Sequence, residues 1–446
     1  MKKERISISD NFTYKKLFKF VLPSIVMMVV ISVYGVVDGL FVSNFVGKTA
    51  FASLNLIMPF IMILGGTGFM IGTGGTALVS KILGEGDKEK ANKTFTMMVL
   101  FTVILGAILT IFGIAVMRPV VKILGASDDM VEYSVLYGRI VVGFTIFFML
   151  QNLFQSFLVV AEKPNLGLLV TILAGVTNGI FDALFIVVFK WGIVGAAVAT
   201  GMGQMVGSII PIVYFAKKNN SLLRFTKTKL EWRPILASCA NGSSELLTNV
   251  SSSVVSMLYN KQLMKFYGEN GVSAYGMIMY VQFIFLAIII GYSVGSAPIV
   301  GYNFGAENTT ELKNVFKKSM IVLSVAGVVL AGLAELLAVP LAKLFVGYDS
   351  DLSSLTVHAF RITSIAFIFS GITVYSSGFF TALNNGLISA VLSMLRSLVL
   401  QITFVFLLPY LFGVEGIWWA IFATEAGAFL VAIIFFALEK KRYQYA

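Results

Sequence analysis

The chain has 446 residues, of which 58% are hydrophobic and only 12% charged, with a net charge of +11. A soluble domain carries roughly 25% charged residues, so soluble enzymes, nucleic-acid binders and disordered chains are excluded as main readings. A single cysteine, Cys239, and a single histidine, His358, exclude a disulfide framework and the common zinc sites.

A membrane-spanning helix needs about 20 mostly apolar residues. In chain order, twelve stretches qualify, at roughly 17–42, 52–79, 95–117, 134–160, 166–189, 192–216, 236–260, 272–302, 319–345, 356–382, 388–411 and 414–438, numbered here as spans 1 to 12. Their apolar runs are continuous rather than alternating, which excludes barrel strands. The first is too long for a signal peptide. Basic residues set the expected orientation. Lys2, Lys3, Arg5, Lys15, Lys16 and Lys19 lie before or at the start of span 1, and Lys81, Lys88, Lys90 and Lys93 lie between spans 2 and 3. Lys217, Lys218, Arg224, Lys227, Lys229 and Arg233 lie between spans 6 and 7. In all, 23 of the 33 Lys and Arg fall on the side of the termini and seven, Lys48 among them, on the other. A multi-pass protein of the cell membrane with both termini cytoplasmic is expected, and its basic balance needs no nucleic acid. Arg139, Arg361 and Arg396, inside spans, are expected to snorkel to the interfaces.

One gapless shift of 221 residues lays the second half on the first. It pairs Gly47 with Gly268, Gly84 with Gly305, Gly192 with Gly413, Pro119 with Pro340 and Asp128 with Asp349. A common offset over both halves marks an internal repeat. Each half holds six spans, an even number, so the repeats run parallel about an axis along the membrane normal. The expected fold is an all-α integral membrane protein, with twelve transmembrane helices in two parallel six-helix repeats around a central cavity. Its domains are an N-terminal lobe (1–216), a cytoplasmic linker (217–235) and a C-terminal lobe (236–446). Two facing bundles suit alternating access, with the site between them.

A charge at the bilayer centre costs about 3 kcal/mol or more, so intramembrane acids point to function. Asp38 in span 1 and Asp182 in span 5 fall at similar depth, together with Thr200 in span 6. Tyr34 is one turn from Asp38 and Asn178 one turn from Asp182, on shared helix faces. Two chemistries are open to this cluster. Desolvated, mutually repelling carboxylates take up a proton; alternatively, the oxygens of Asp38, Asn178, Asp182 and Thr200 coordinate sodium. The shift sets Tyr259 opposite Asp38 and Thr403 opposite Asp182, so the acids are not duplicated. Glu245, in span 7, reads as a contact for a cation or cationic substrate. Glu335 lies near an interface and is expected to be solvated. Glu425, paired by the repeat with Gln204, reads as a structural polar contact. Gln151, Asn152 and Gln155 form an amide stripe on span 4, read as cavity lining. Met257, Met279 and Phe283 are candidates for an adaptable apolar wall. Cys239 is expected to be a small buried hydrophobe. The glycine run 65–75 has no Gly-Lys-Ser/Thr ending and lies inside span 2, so it reads as close helix packing. With no nucleotide motif, H⁺ or Na⁺ is the expected energy source and no other cofactor is expected.

The segments Asp38-Gly-Leu-Phe-Val-Ser-Asn-Phe-Val-Gly47, Ala77-Leu-Val-Ser-Lys-Ile-Leu-Gly-Glu-Gly-Asp87, Asn178-Gly-Ile-Phe-Asp182 and Trp191-Gly-Ile-Val-Gly-Ala-Ala-Val-Ala-Thr200 resemble the MATE (multidrug and toxic compound extrusion) family of cation-coupled exporters. The resemblance covers essentially the whole chain. It implies a secondary antiporter, not an enzyme, that exports cationic or amphipathic drugs and toxic organic compounds in exchange for H⁺ or Na⁺. It places cation coupling at Asp38, Asn178, Asp182 and Thr200, which are the metal ligands if the ion is Na⁺. Tyr34, Asn152 and Gln155 fall where such proteins contact substrate. Glu245 matches an acid that another branch pairs with a span 10 aspartate. Span 10 here has no acid, so coupling is placed in the N-terminal lobe. Small cationic substrates and membrane lipid are the expected partners, and a monomer is expected. A flippase for a lipid-linked precursor, within the same superfold, is the alternative. It would show a basic central cavity, whereas the in-span arginines here look peripheral. A membrane-embedded transferase would need an acid pair or histidine facing a metal, and His358 stands alone.

Overall fold

The computed structural model describes residues 6–347 and 349–446. Lys2, Lys3 and Arg5 of the basic count lie outside them, as does the side chain of Lys48. Lipid offers no hydrogen-bond partner to a bare backbone, so apolar runs of this length become helices. They are α1 (Tyr14–Phe41), α2 (Lys48–Gly84), α3 (Lys88–Ile123), α4 (Asp128–Gly143), α5 (Thr145–Val160), α6 (Pro164–Asp182), α7 (Ile193–Ala216), α8 (Trp232–Gly305), α9 (Thr309–Val346), α10 (Ser350–Ser364), α11 (Phe367–Ala382), α12 (Gly386–Met394), α13 (Leu400–Phe412) and α14 (Gly416–Tyr443). Several begin before the apolar stretch because polar caps start them early. Asp87 caps α3 through Lys90 N, and Asn308 caps α9 through Glu311 N.

Every predicted span falls on helix, but spans 4, 7, 8 and 10 differ in form. Spans 4 and 10 are each two helices, α4 with α5 bent by 55° and α10 with α11 bent by 51°. Spans 7 and 8 run together as α8, whose 74 residues are broken at Gly268. Gly268 holds φ 60° and Gly413, between α13 and α14, holds φ 66°. Their repeat mates Gly47 and Gly192 hold φ 117° and 58°. This left-handed region is open to glycine and strained for other residues. The same two corners are therefore turned by the same residue in each half. The outcome is a multi-pass, all-helical membrane protein built of two parallel repeats, with which twelve spans are compatible.

Small residues bring the repeats together on the face that carries the termini. A Cβ on Gly74 or Gly84 of α2, or on Gly242 or Gly305 of α8, would strike backbone of the other helix. Gly291 and Gly295 of α8 seat Ile25 and Val21 of α1 in the same way. The glycine-rich stretch of α2 is thus a packing surface, as expected. Toward the opposite face Val33, Met257, Tyr280 and Phe283 are exposed, and a Cβ on Gly35 or Gly276 would meet nothing within 4 Å. The repeats thus pack more closely on the terminal face than on this one.

Candidate cation site in the first repeat

Three helices deliver the polar groups. α1 carries Asp38 and then switches to a π-helical turn, Val42–Val46. α6 ends on Asp182 and passes directly into a second π turn, Ala183–Val188. Such turns re-aim side chains and gather at functional sites. α7 carries Thr200. It approaches α6 closely because a Cβ on Gly203 would lie only 2.9 Å from Ala174 O and 3.1 Å from Asn178 Cβ.

Asp182 is 0% exposed, Asn178 4% and Asp38 7%. The Asp38 carboxyl faces Asp182, Asn178 and Thr200. The Thr200 hydroxyl donates to Ala196 O at 3.0 Å and stands 3.5 Å from Asp38 Oδ1. Both oxygens of Asp182, and Asn178 Nδ2, lack a hydrogen-bond partner among the described residues. Among the described residues, no basic side chain faces Asp38 or Asp182. A buried, unpaired carboxylate is costly, so the pair calls for a cation. Two carboxylates, an amide oxygen and a hydroxyl form an all-oxygen donor set, which suits a proton or a hard cation.

Tyr34 stands beside Asp38 and faces Gln151. Its ring fits because position 175 is glycine, whose Cβ would lie 3.2 Å from Tyr34 Cδ1. The sequence reading missed Tyr137 of α4. Its buried side chain lies beside Thr200, Asp38 and Asp182, and its hydroxyl meets no partner of good geometry among the described residues. A tyrosine on the buried face of a span needs something for its hydroxyl, and that was the available signal.

The other predicted residues are not gathered at this cluster. Asn152 is buried and donates to Gly65 O of α2 at 3.2 Å, tying span 4 to span 2. Gln155 is 5% exposed, with Oε1 unpartnered among the described residues. Glu245 is partly buried on the stretch of α8 where Leu246 and Asn249 meet Gly66 of α2. Asn249 bonds the backbone oxygen of Glu245, not its carboxyl. Ser243 donates to Ala240 O instead, and the Ser244 hydroxyl is unpartnered among the described residues. Met257, Met279 and Phe283 are exposed on α8.

Two expectations outside the cluster need correction. Arg396 does not snorkel. Its Nε and Nη2 donate to Glu425 Oε1 at 2.9 and 2.7 Å, while Thr373 donates to Oε2 at 2.6 Å. Glu425 is a structural contact as expected, but its partner is an arginine inside the second repeat. The reason is local: a π turn, Leu395–Val399, carries Arg396, and the Glu425 carboxylate within reach offsets part of its desolvation. Cys239 is half-buried rather than buried. Glu335 is solvated as expected, though it also accepts from Ser364 at 2.8 Å. Arg361 is exposed near it, and His358 pairs with Glu415 at 2.9 Å in the open.

Fold and site together define a two-repeat integral membrane protein with an uncompensated acid pair inside one repeat. The MatE family model matches residues 23–184 and 246–407, one match in each half. The chain belongs to the MatE family, as the resemblance in its sequence implied. It is similar to the multidrug export protein MepA of Staphylococcus haemolyticus, with 24% identity over 99% of this chain and 97% of that one. MepA of Staphylococcus aureus strain MSSA476 is 23% identical over 96% of this chain and 94% of that one. Among solved structures, the fold is similar to a multidrug resistance MATE transporter in an outward-facing conformation, at TM-score 0.92 and 21% identity, with 100% of both chains covered. It is also similar to a MATE protein in a straight conformation, at TM-score 0.93 and 20% identity, again with 100% of both chains covered.

Proposed function

We propose that this protein is a secondary antiporter that exports cationic or amphipathic organic compounds, drugs among them, in exchange for H⁺ or Na⁺ by alternating access. The carrying observation is the buried Asp182 carboxyl, which faces Asp38 and meets no donor on either oxygen among the described residues. An external cation satisfies the pair. Its loss restores the repulsion and favours a different packing of α1 against α6 and α7. Cargo and cation thereby compete through the shape of the first lobe rather than for one spot. A positive charge moving through ~100 mV supplies about 2.3 kcal/mol, enough to drive useful accumulation.

In this reading the lobes are residues 1–216 and 236–446, joined by a linker at 217–235. The face with the termini is cytoplasmic, so the cavity is open to the outside. The protein sits in the cell membrane as a monomer. Asp38, Asn178, Asp182 and Thr200 hold the cation, with Tyr137 beside them. Tyr34 and Glu245 are the contacts assigned to cargo, Glu245 because its carboxyl has no hydrogen-bonded or ion-paired partner among the described residues. Asn152 and Gln155 support that wall from within the lobe, and Met257, Met279 and Phe283 give the cavity its apolar side. The flippase alternative needs free basic groups in the cavity. Arg139 and Arg361 are exposed and Arg396 is neutralised by Glu425, which disfavours it.

The test is cargo flux in everted vesicles under proton and sodium gradients imposed separately. Parent protein should respond to at least one gradient. Asp38→Asn and Asp182→Asn should respond to neither. Export by both variants under either gradient would overturn the assignment.

A further inference from the structure

The two repeats are each preceded by a segment that lies on the terminal face. Ahead of α8, the linker runs along α3. Arg224 N donates to Asn92 Oδ1 at 2.7 Å, Thr226 N to Thr96 Oγ1 at 3.1 Å, and Phe225 stacks on Phe95 with centroids 5.3 Å apart. Ahead of α1, residues 6–13 do the equivalent on α9, the repeat mate of α3. Phe12 N donates to Glu311 Oε1 at 2.8 Å, and Asn314 Nδ2 donates to Phe12 O at 3.0 Å. Asn314 also donates to both Glu311 oxygens, at 2.9 and 3.0 Å. Ile8 is 0% and Phe12 1% exposed.

The other end of this segment is held by the first repeat. Ser7 Oγ and Ile8 N donate to Glu162 Oε1 at 2.5 and 3.0 Å. Glu162 stands in the turn between α5 and α6, with φ 57°. One short strap thus reaches from an acid of the first lobe to an acid of the second. The linker is continuous with both lobes and cannot let go. The strap holds the second lobe only through hydrogen bonds and apolar pegs.

We propose that residues 6–13 are a releasable latch that holds the lobes closed on the face of the termini. Glu311 and Asn314 are the catch, and Phe12 is the peg. The glycine contacts of α2 with α8 close the same face. Opening it moves the start of α9 away from the α5–α6 turn, and the strap must release one of its two anchors. The inference rests on the rocking motion of the proposed function but not on the cation site.

The test reads the lobe separation directly. Full-length protein with Cys239→Ser carries spin labels at Lys90→Cys in α3 and Lys317→Cys in α9, both exposed positions. Distances are measured in nanodiscs with no gradient and no cargo, so failure of ion coupling would leave the result unaffected. Parent protein should show mainly the shorter distance. Glu311→Ala should raise the longer-distance population about tenfold, the scale of losing a hydrogen bond to a charged group, and Phe12→Ala, which keeps the backbone N–H but loses the buried ring, should raise it at least as much. Glu311→Gln keeps an acceptor for Phe12 N and should stay near the parent. Ser7→Ala loosens the opposite anchor without touching α9 and should give a smaller rise. It decides the matter with Phe12→Ala if Glu311→Ala does not fold. Distributions in folded Phe12→Ala and Ser7→Ala that superimpose on the parent would overturn the latch.

Discussion

The acid pair of the first repeat and the Glu425 carboxylate of the second are solved in opposite ways. In the second repeat, Glu425 has a resident cation in Arg396 and a hydroxyl donor in Thr373. In the first, Asp38 and Asp182 face each other without a basic side chain. The 221-residue shift makes the contrast sharper. It sets Asn152 against Thr373, Gly175 against Arg396 and Gln204 against Glu425. Where the second repeat places an arginine, the first has a glycine with the Tyr34 ring against it. A carboxylate with a built-in counter-ion has no need of another. A pair without one must borrow, and what is borrowed can be exchanged.

The largest effect is expected from breaking the borrowed site. Asp182→Asn should abolish cation-driven flux, by at least about a hundredfold if the coupling is worth a few kcal/mol. Its thermal unfolding midpoint in detergent should hold or rise, because an uncompensated buried charge is gone. A second variant breaks the resident pair. Arg396→Met leaves Glu425 buried without its counter-ion, which should destabilise the protein by about 3–5 kcal/mol. The double variant Arg396→Met/Glu425→Gln should recover most of that loss. Equal instability of single and double variants would show that Arg396 acts through packing alone. Next, Thr373→Val removes a donor to Glu425 and should cost about 1–3 kcal/mol by the same measurement, with flux preserved. The smallest effect concerns cargo. Glu245→Gln should raise the half-saturating concentration of cationic compounds several-fold, the scale of an attraction of about 1 kcal/mol, and leave neutral ones unchanged. An equal shift for both would remove the charge-recognition role.

The helices were legible because apolar length alone forces them in lipid. The repeat was legible because glycine is required where φ is positive, as at Gly47 and Gly268. Counting residues from the span ends brought Asp38, Asp182 and Thr200 to one depth, with Asn178 one turn from Asp182, and the structure brings their side chains to one place. Depth does not give rotation about a helix axis. Tyr137 therefore went unseen, and Asn152 turned toward α2 rather than standing free. The bend between α10 and α11 falls at Ile365 and Ala366, with neither proline nor glycine to mark it. The π turns leave no residue signature either, yet each of the three described adjoins or carries an ionisable group: buried Asp38, buried Asp182 or half-buried Arg396. The Arg396–Glu425 pair was hidden because its two members lie on different spans, and the repeat offers no charged precedent for either.

The contrast between the two acidic sites is tested most directly by equilibrium cation binding to purified protein. Radiolabelled sodium and a pH-sensitive dye would report uptake of either ion, in the parent, Asp182→Asn and the Arg396→Met/Glu425→Gln double variant. The account predicts saturable uptake of one ion by the parent, its retention in the double variant and its loss in Asp182→Asn. Binding that survives in Asp182→Asn, or disappears with the second-repeat pair, would contradict it.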